Sequence, residues 1–161
     1  MAEHTEQEVL ETLRRNLEVR GQIEAHEVGW DALAQFFTDD AVFVDPAWGR
    51  VEGRENIRKF FIESMEGLED WTFPHQWEFV DGDRLTIGWQ NRLPGRRDDG
   101  GYWQAPGVSR MIYAGDGKFS FEQDLLNMVH VFEIMKESGW KPSRRLHTPP
   151  KKPVRLFGWE P

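Results

Sequence analysis

The apolar residues of the first segment recur every three or four positions, at Val9, Leu10, Leu13 and Leu17. This is the period of one face of an α-helix. Thr5 and Glu8 have the spacing of a capping box, which satisfies backbone groups at the start of a helix. The pattern therefore predicts a first helix that begins at Thr5 and ends near Gly21.

The rest of the first half alternates between helix and strand signals. A shorter apolar pattern predicts a second helix over residues 30–37, and the run AVFVD at 41–45 predicts a strand that Pro46 stops. A third helix is predicted over 57–68, with Gly67 available to end it. The first half is therefore expected to be helical, with one short strand.

After Leu68 the period of the apolar residues changes from helical to two. The inward set of the first long strand is predicted to be Trp71, Phe73, His75, Trp77 and Phe79. The sequence VDGDR then predicts a hairpin turn, and further strands are expected over 85–93, over 102–113 and after AGDGK. A last helix is expected from Leu125 to Gly139. Long antiparallel strands joined by tight turns form a sheet that curls readily.

The order of these elements predicts an α+β fold, with helices on one face of a curved antiparallel sheet. We expect one domain over residues 1–138 and an extended, proline-rich basic tail over 139–161. From Gly139 onward six Lys or Arg residues accompany a single acid, Glu160, although the whole chain has a net charge of −8. Such a tail is expected to lie across the acidic body or a neighbouring subunit. The alternative is a solvated, mobile tail.

Composition argues against several classes of function. The chain has no cysteine, so neither disulfides nor thiolate chemistry is available. The net charge of −8 argues against a nucleic-acid binder, and no apolar run approaches the roughly 20 residues of a membrane span. The five histidines lack metal-ligand spacing, and no Gly-x-Ser-x-Gly or phosphate-binding motif occurs. We therefore expect a soluble, cytoplasmic protein that uses no metal or cofactor.

Polar residues interrupt three of the predicted inward faces. His75 lies among aromatic residues, Asn91 follows Trp89 by two positions, and Asp45 shares a strand face with Phe43. A buried polar group without a partner costs about 1–3 kcal/mol, so each needs a reason to be there. These residues either satisfy one another inside a core or supply the acid, base and dipole of a cavity. For Asp45, an Asp-Pro turn at the end of the strand is a further alternative.

The stretch DDAVFVDPAWGRVEGRENIRKFF, with two predicted helices before it and the strand meander after it, resembles the NTF2-like superfamily. Its SnoaL-like polyketide cyclase and ketosteroid isomerase branches are the most similar, over about residues 8–135. The resemblance implies a cone, in which a strongly curved antiparallel sheet wraps N-terminal helices around a deep apolar cavity, usually in a homodimer. Because this fold carries many functions on one pocket, it does not select a single activity.

The resemblance also implies roles for individual residues. Asp45 matches the aspartate with which ketosteroid isomerases move a proton beside a carbonyl group. Ser109 falls where those enzymes keep a protonated aspartate in the oxyanion hole, and the first helix has no tyrosine, so both of their oxyanion donors are absent. Asp124 resembles the acid/base aspartate on the last strand of SnoaL-like cyclases, and His75 resembles a catalytic histidine of scytalone dehydratases.

The direction of Asp124 has alternatives. Strict alternation from Phe119 and Phe121 puts it on the other face, with Ser120 and Glu122, so it points inward only if a β-bulge intervenes. It also precedes the last helix, where aspartate is a natural N-cap. A role in a cavity therefore depends on an irregularity in the strand.

These observations predict a cofactor-free acid/base enzyme, of the cyclase, isomerase or dehydratase type, that acts on a hydrophobic cyclic carbonyl compound. Asp45 or Asp124 is expected to be the base. His75 is expected to be the partner acid, and Asn91 to orient the carbonyl. The other substrate-binding residues are expected to be Phe43, Trp77, Trp89, Trp103 and Ser109. A non-catalytic ligand-binding or dimeric scaffold domain of the same fold is the alternative.

Overall fold

The computed structural model of the protein describes residues 3–156 and Gly158. Helices and strands alternate along this part of the chain. In chain order they are α1 (Glu6–Glu24), a 3-10 helix (Trp30–Phe36), β1 (Phe37–Asp45), β2 (Gly49–Glu52), α2 (Arg54–Met65), β3 (His75–Asp81), β4 (Arg84–Arg96), β5 (Tyr102–Tyr113), β6 (Phe119–Leu126) and α3 (Met128–Ser138). None of the helices in the described part is long and apolar enough to cross a membrane.

The strands form one curved, open sheet in the order β2-β1-β6-β5-β4-β3, with the helices packed against it. This confirms the predicted α+β class. The sheet is mixed, because β1 runs parallel to β6 while the other neighbouring strands are antiparallel. The predicted all-antiparallel sheet is therefore wrong at this pair, since the meander ends with β6 running in the direction of β1. The four-residue strand β2 is too short to produce a recognisable sequence pattern.

The start of α1 and the end of α3 lie where the sequence predicts them, whereas the end of α1 does not. The Thr5 hydroxyl accepts from the Glu8 backbone N–H and the Glu8 carboxylate accepts from the Thr5 backbone N–H, which confirms the capping box. α1 continues past Gly21 to Glu24, because a single glycine inside a helix costs only about 1 kcal/mol. α3 ends at Gly139, whose φ of 71° lies in the left-handed region that favours glycine.

The main core lies between the sheet and the helices α1 and α2. Its most deeply buried side chains include Phe36, Phe37, Ile57, Leu85 and Phe119. Burial of a side chain of this size stabilises the fold by about 1.5–3 kcal/mol. A smaller apolar cluster lies under α3 and contains Trp71, Leu93, Ala105, Val131 and Ile134.

A β-bulge on β6 changes which of its side chains face the core. Phe119 pairs with Tyr113 and Phe121 pairs with Ile112, so Ser120 is an extra residue between two consecutive partners. Phe121 therefore leaves the main core that contains Phe119. Glu122 and Asp124, one and three positions after Phe121, therefore turn toward the inside.

A second bulge lies on β3. His75 pairs with Trp89 and Trp77 pairs with Gly88, so Gln76 is the extra residue. Trp77 consequently lies on the face opposite to Trp89, and its ring packs against Gly88. A Cβ atom added to Gly88 would lie 2.1 Å from the Trp77 ring. The predicted inward set is therefore wrong from Trp77 onward.

The residues that follow α3 extend across the body of the domain. The Arg145 guanidinium lies 2.8 Å from a Glu69 carboxylate oxygen, and the backbone N–H of Arg50 donates to the Val154 carbonyl at 2.8 Å. These contacts place the described part of the basic tail on the acidic body. The end of the predicted tail, residues 157 and 159–161, lies outside the described residues, and the domain boundary at residue 138 stays a prediction.

Candidate functional site

A cavity of about 250 Å³ lies between the helices and the inner face of the sheet. Its wall is mostly apolar and includes residues of all three α-helices, of four strands and of the tail. The predicted site residues that line it are Phe43, Asp45, Trp89, Asn91, Ser109 and Asp124. Their polar groups therefore face one apolar space that has room for a small molecule.

The parallel pairing of β1 and β6 brings the two candidate carboxylates together. Phe43 pairs with Glu122 and Val44 pairs with Gln123. The next residues in this parallel register are Asp45 and Asp124. The bulge at Ser120 turns Asp124 toward the inside. The sequence pattern predicts that Asp124 faces inward only if such a bulge occurs. Two acids that lie far apart in the sequence thus become neighbours in the cavity wall.

Asp45 lies at the end of β1 and is held by the turn that follows. Its Oδ1 atom accepts from the backbone N–H groups of Ala47 and Trp48, both at 2.7 Å. Burial raises the pKa of this carboxyl, while the two backbone N–H groups and the charge of Arg155 oppose the rise. The turn alternative for Asp45 is therefore present, and the same residue also lines the cavity.

Asp124 is positioned by a chain of hydrogen bonds. The Trp89 indole N–H donates to the Ser109 hydroxyl oxygen at 2.9 Å, and that hydroxyl donates to Asp124 Oδ1 at 2.5 Å. Ser109 and Asp124 are direct cross-strand partners, so the register itself permits this bond. Burial and the negative charge of Glu122 raise the pKa of Asp124 well above its ordinary value. Asn127, instead of Asp124, caps α3.

Glu122 lies beside Asp124 on β6 but is not among the residues that line the cavity. It is only 2% exposed, and its cross-strand partners are Phe43 and Met111. Burial raises its pKa to about 7, against the opposing charge of Arg20 on α1. The negative charge of ionised Glu122 in turn disfavours the ionised form of Asp124. Among the described residues, no group of three or more histidine or acidic side chains is placed to hold a metal ion.

Two N–H donors in the cavity wall have no hydrogen-bond partner. They are the side-chain amide nitrogen of Asn91 and the indole nitrogen of Trp71. Each residue is 6% exposed. An unpaired buried donor costs about 1–3 kcal/mol. Both nitrogen atoms are buried and belong to residues that line the cavity.

Three predicted site residues do not line the cavity. His75 lies on the edge strand, where its Nε2 atom is 2.7 Å from a carboxylate oxygen of Glu78. Trp77 is 48% exposed on the other face of the sheet, because the bulge at Gln76 reverses its direction. Trp103 packs against the smaller cluster under α3. The structure therefore does not bring His75, Trp77 or Trp103 into this cavity, and their roles as partner acid and cavity walls stay predictions.

Other residues of the site are not indicated by the sequence pattern. The tail contributes Leu146, His147 and Pro149 to the cavity wall. Their segment is rich in proline and has no periodicity, so its place in the fold leaves no signal in the sequence. Glu122 does have a signal, because its spacing of two from Asp124 puts both carboxylates on the same side of a strand.

The model of the SnoaL-like domain family matches residues 22–121, which is more than half of the chain. Comparison with curated protein sequences gives no significant match. Among solved structures, a protein from Jannaschia sp. CCS1 that is provisionally named a SnoaL-like polyketide cyclase is 16% identical. The match covers 83% of this chain and 96% of that protein, with a TM-score of 0.61.

Two further solved structures are of proteins crystallised with an organic molecule. A ketosteroid isomerase-like protein from Catenulispora acidiphila DSM 44928, in complex with trimethylamine, is 19% identical over 71% of this chain and 88% of its own, with a TM-score of 0.53. TerC, co-crystallised with polyporic acid, is 15% identical over 79% of this chain and 97% of its own, with a TM-score of 0.58. At such identities the likeness concerns the fold. Together with the match over residues 22–121, it shows that the chain belongs to the SnoaL-like domain family of the NTF2-like superfamily.

Proposed function

We propose that this protein is a cofactor-free acid/base enzyme, of the cyclase, isomerase or dehydratase type, that moves a proton beside the carbonyl group of a hydrophobic cyclic molecule. The observation that carries the proposal is the presence of two carboxyl groups, Asp45 and Asp124, in the wall of one apolar cavity. Their surroundings shift their pKa values to different extents. A pair of this kind supplies a base and an acid at the same pH.

Asp45 is the proposed base. Although burial raises its pKa, two backbone N–H groups and the charge of Arg155 stabilise its ionised form. Asp45 is therefore the more acidic of the two carboxyl groups and the first to lose its proton. The turn occupies its Oδ1 atom, which leaves Oδ2 to accept a proton from the substrate carbon. Removal of that proton converts the ketone to an enolate.

Asp124 is the proposed acid. Burial and the charge of Glu122 favour its protonated form, which can donate a hydrogen bond to the enolate oxygen. The Ser109 hydroxyl fixes the orientation of this carboxyl group. The unpaired N–H groups of Asn91 and Trp71 are further donors to the same oxygen. These three groups would take the place of the oxyanion donors that the sequence lacks.

The protein is expected to exchange the α-hydrogens of a bicyclic ketone such as β-tetralone for deuterium. A base that removes a proton beside a carbonyl group returns a deuteron in D₂O, so the exchange is visible even though the natural substrate is unidentified. Proton NMR follows the loss of the α-hydrogen signal. The rate should greatly exceed that in acetate at an equal carboxylate concentration, because positioned proton transfer contributes about 10²–10⁴-fold.

The acetate control separates a built site from ordinary carboxylate basicity. A small panel of cyclic ketones, with indanone and decalone added, allows for the shape of the cavity. Exchange by the folded protein at the acetate rate for every ketone in the panel would reject proton transfer beside a carbonyl group.

The unpaired donors Asn91 and Trp71 give a separate prediction on binding. We expect Asn91→Leu and Trp71→Phe each to weaken β-tetralone binding roughly threefold to tenfold, since a hydrogen bond contributes about 0.5–1.5 kcal/mol. Binding of tetralin, the hydrocarbon that lacks the oxygen, should change much less. Tryptophan fluorescence quenching measures both affinities. An equal loss for ketone and hydrocarbon would mean that the donors do not contact the oxygen.

The geometry does not favour the alternative of a non-catalytic scaffold. A scaffold would have its aromatic side chains packed into the cavity or its carboxylates directed outward, whereas Asp45 and Asp124 line an open space. The complexes of TerC and of the Catenulispora protein indicate that this architecture accommodates small molecules. The homodimer that the resemblance implies and the cytoplasmic location expected from composition stay predictions.

A further inference from the structure

The C-terminal segment closes one side of the cavity. Residues 145–156, here called the strap, run from the end of α2 to the turn between β1 and β2. The family match ends at Phe121, so the strap lies outside the part of the chain that the family describes. Its residues in the cavity wall are Leu146, His147 and Pro149. Membership of the family therefore does not explain what the strap does.

One end of the strap is held by two side-chain contacts near the C-terminus of α2. Arg145 Nη2 donates to a Glu69 carboxylate oxygen at 2.8 Å, and His147 Nε2 lies 2.6 Å from a Glu66 carboxylate oxygen. All four side chains are partly or largely exposed to solvent. Exposed contacts of this kind are weak, so they hold the strap without locking it.

The other end is held beside the proposed base. The Arg50 N–H, on the edge strand β2, donates to the Val154 carbonyl at 2.8 Å, and the Arg155 guanidinium donates to the Pro46 carbonyl. Gly49 permits this approach, because a Cβ atom at that position would lie 2.5 Å from the Val154 oxygen. Val154 and Arg155 are exposed, whereas Leu156 at the end of the strap packs against the buried cluster of Val42, Val44 and Phe121.

We propose that the strap is a removable wall of the binding site, which contacts the bound molecule through Leu146, His147 and Pro149 and lifts to let it enter or leave. The exposed contacts of the strap and its place in the cavity wall suit this role, and Leu156 keeps the lifted strap attached to the domain. Lifting also carries the charge of Arg155 away from Asp45, whose ionised form that charge stabilises. The inference concerns ligand access and does not depend on the proposed reaction.

Exchange kinetics of a probe test the lifting step. β-Naphthol is a planar apolar molecule, and stopped-flow quenching of tryptophan fluorescence reports its association and dissociation. Arg145→Ala and Glu69→Gln should each raise both rate constants about two- to fivefold, as expected for loss of an exposed ion pair. Glutamine keeps an oxygen that can accept from the Gly67 backbone N–H. The double variant should match the single ones, because both substitutions break the same pair. Arg58→Ala breaks a comparable exposed pair on α2, with Glu55, and should leave the rates unchanged.

Affinity tests the contact with the bound molecule. Leu146→Ala removes an apolar group from the cavity wall and should raise the dissociation constant of β-naphthol about fivefold, which is the effect of losing contact with about one buried methylene group. Val154→Ala is the matched control, since Val154 belongs to the same strap but is exposed and does not line the cavity. An equal effect of both substitutions would mean that Leu146 does not contact the probe.

Hydrogen exchange tests the motion without any probe. The Arg50 amide is bonded to the strap, so its exchange should become faster in Arg145→Ala if the strap lifts as one unit. The proposal would be overturned if Arg145→Ala kept both the wild-type kinetics of β-naphthol and the wild-type hydrogen exchange of the Arg50 amide. It would also be overturned if the wild-type protein did not bind β-naphthol. These assays measure binding and opening, so an inactive protein in the ketone assay would leave their result standing.

Discussion

Asp45→Asn should lose most of the ketone exchange activity, by about 10²–10⁴-fold, which is the usual contribution of positioned proton transfer. Asparagine keeps an oxygen that can accept from the backbone N–H groups of Ala47 and Trp48, so the turn should survive. It lacks the basic oxygen that takes the proton. The measurement is the rate of deuterium incorporation into β-tetralone, with binding of the ketone measured in parallel to separate catalysis from affinity.

The matched control is Asp40→Asn, which removes an exposed carboxylate from the same strand. Its exchange rate should equal that of the wild type, and thermal unfolding should show that both variants are folded. Wild-type exchange in Asp45→Asn, combined with a large loss in Asp124→Asn, would assign the base to Asp124 instead. Wild-type exchange in both variants would mean that neither carboxylate is the base.

The free energy of unfolding should fall as the pH rises from 4.5 toward 7, because burial raises the pKa of Glu122 to about 7. In this window the folded protein still holds the Glu122 proton, whereas the unfolded chain has released it. Rising pH therefore favours the unfolded chain, and the loss is complete above the folded pKa. At 1.36 kcal/mol per pKa unit this shift corresponds to about 3 kcal/mol. Asp124, whose pKa burial also raises, acts in the same direction.

Glu122→Gln removes the titrating group without changing the size of the side chain. We expect its unfolding free energy to vary less with pH and to exceed that of the wild type above pH 7. Urea unfolding across the window measures both profiles. Glu63→Gln, which changes an exposed glutamate on α2, should keep the wild-type profile. If Glu122→Gln kept it as well, the Glu122 carboxyl would not hold its proton in the folded state.

Local chemistry made much of the fold predictable. The capping box at Thr5, the change of apolar period after Leu68 and the turn glycines each depend on a few adjacent residues. They identify α1, the start of the meander and its hairpins. The parallel pair of β1 and β6 joins segments that are distant in the sequence, and no local pattern specifies such a partner.

The candidate site was predictable only where the strands stay regular. Asn91 on β4 faces the cavity as strict alternation requires. One extra residue, however, reverses the direction of every side chain that follows it. The bulge at Gln76 turns Trp77 out of the predicted wall, and the bulge at Ser120 turns Asp124 into it. Neither extra residue is a glycine or proline, so composition does not mark the irregularity.

The pairing of β1 with β6 also determines when the site can form as the chain folds. β1 and β2 are close in sequence, and β3 to β6 form a meander, so each group can assemble through short loops. Asp45 belongs to the first group and Asp124 to the second. Joining them requires closure of a long loop, which is entropically costly and slow. A chain in which only one of these groups has folded therefore holds one carboxylate without the other, and the cavity wall is incomplete until the two groups pair.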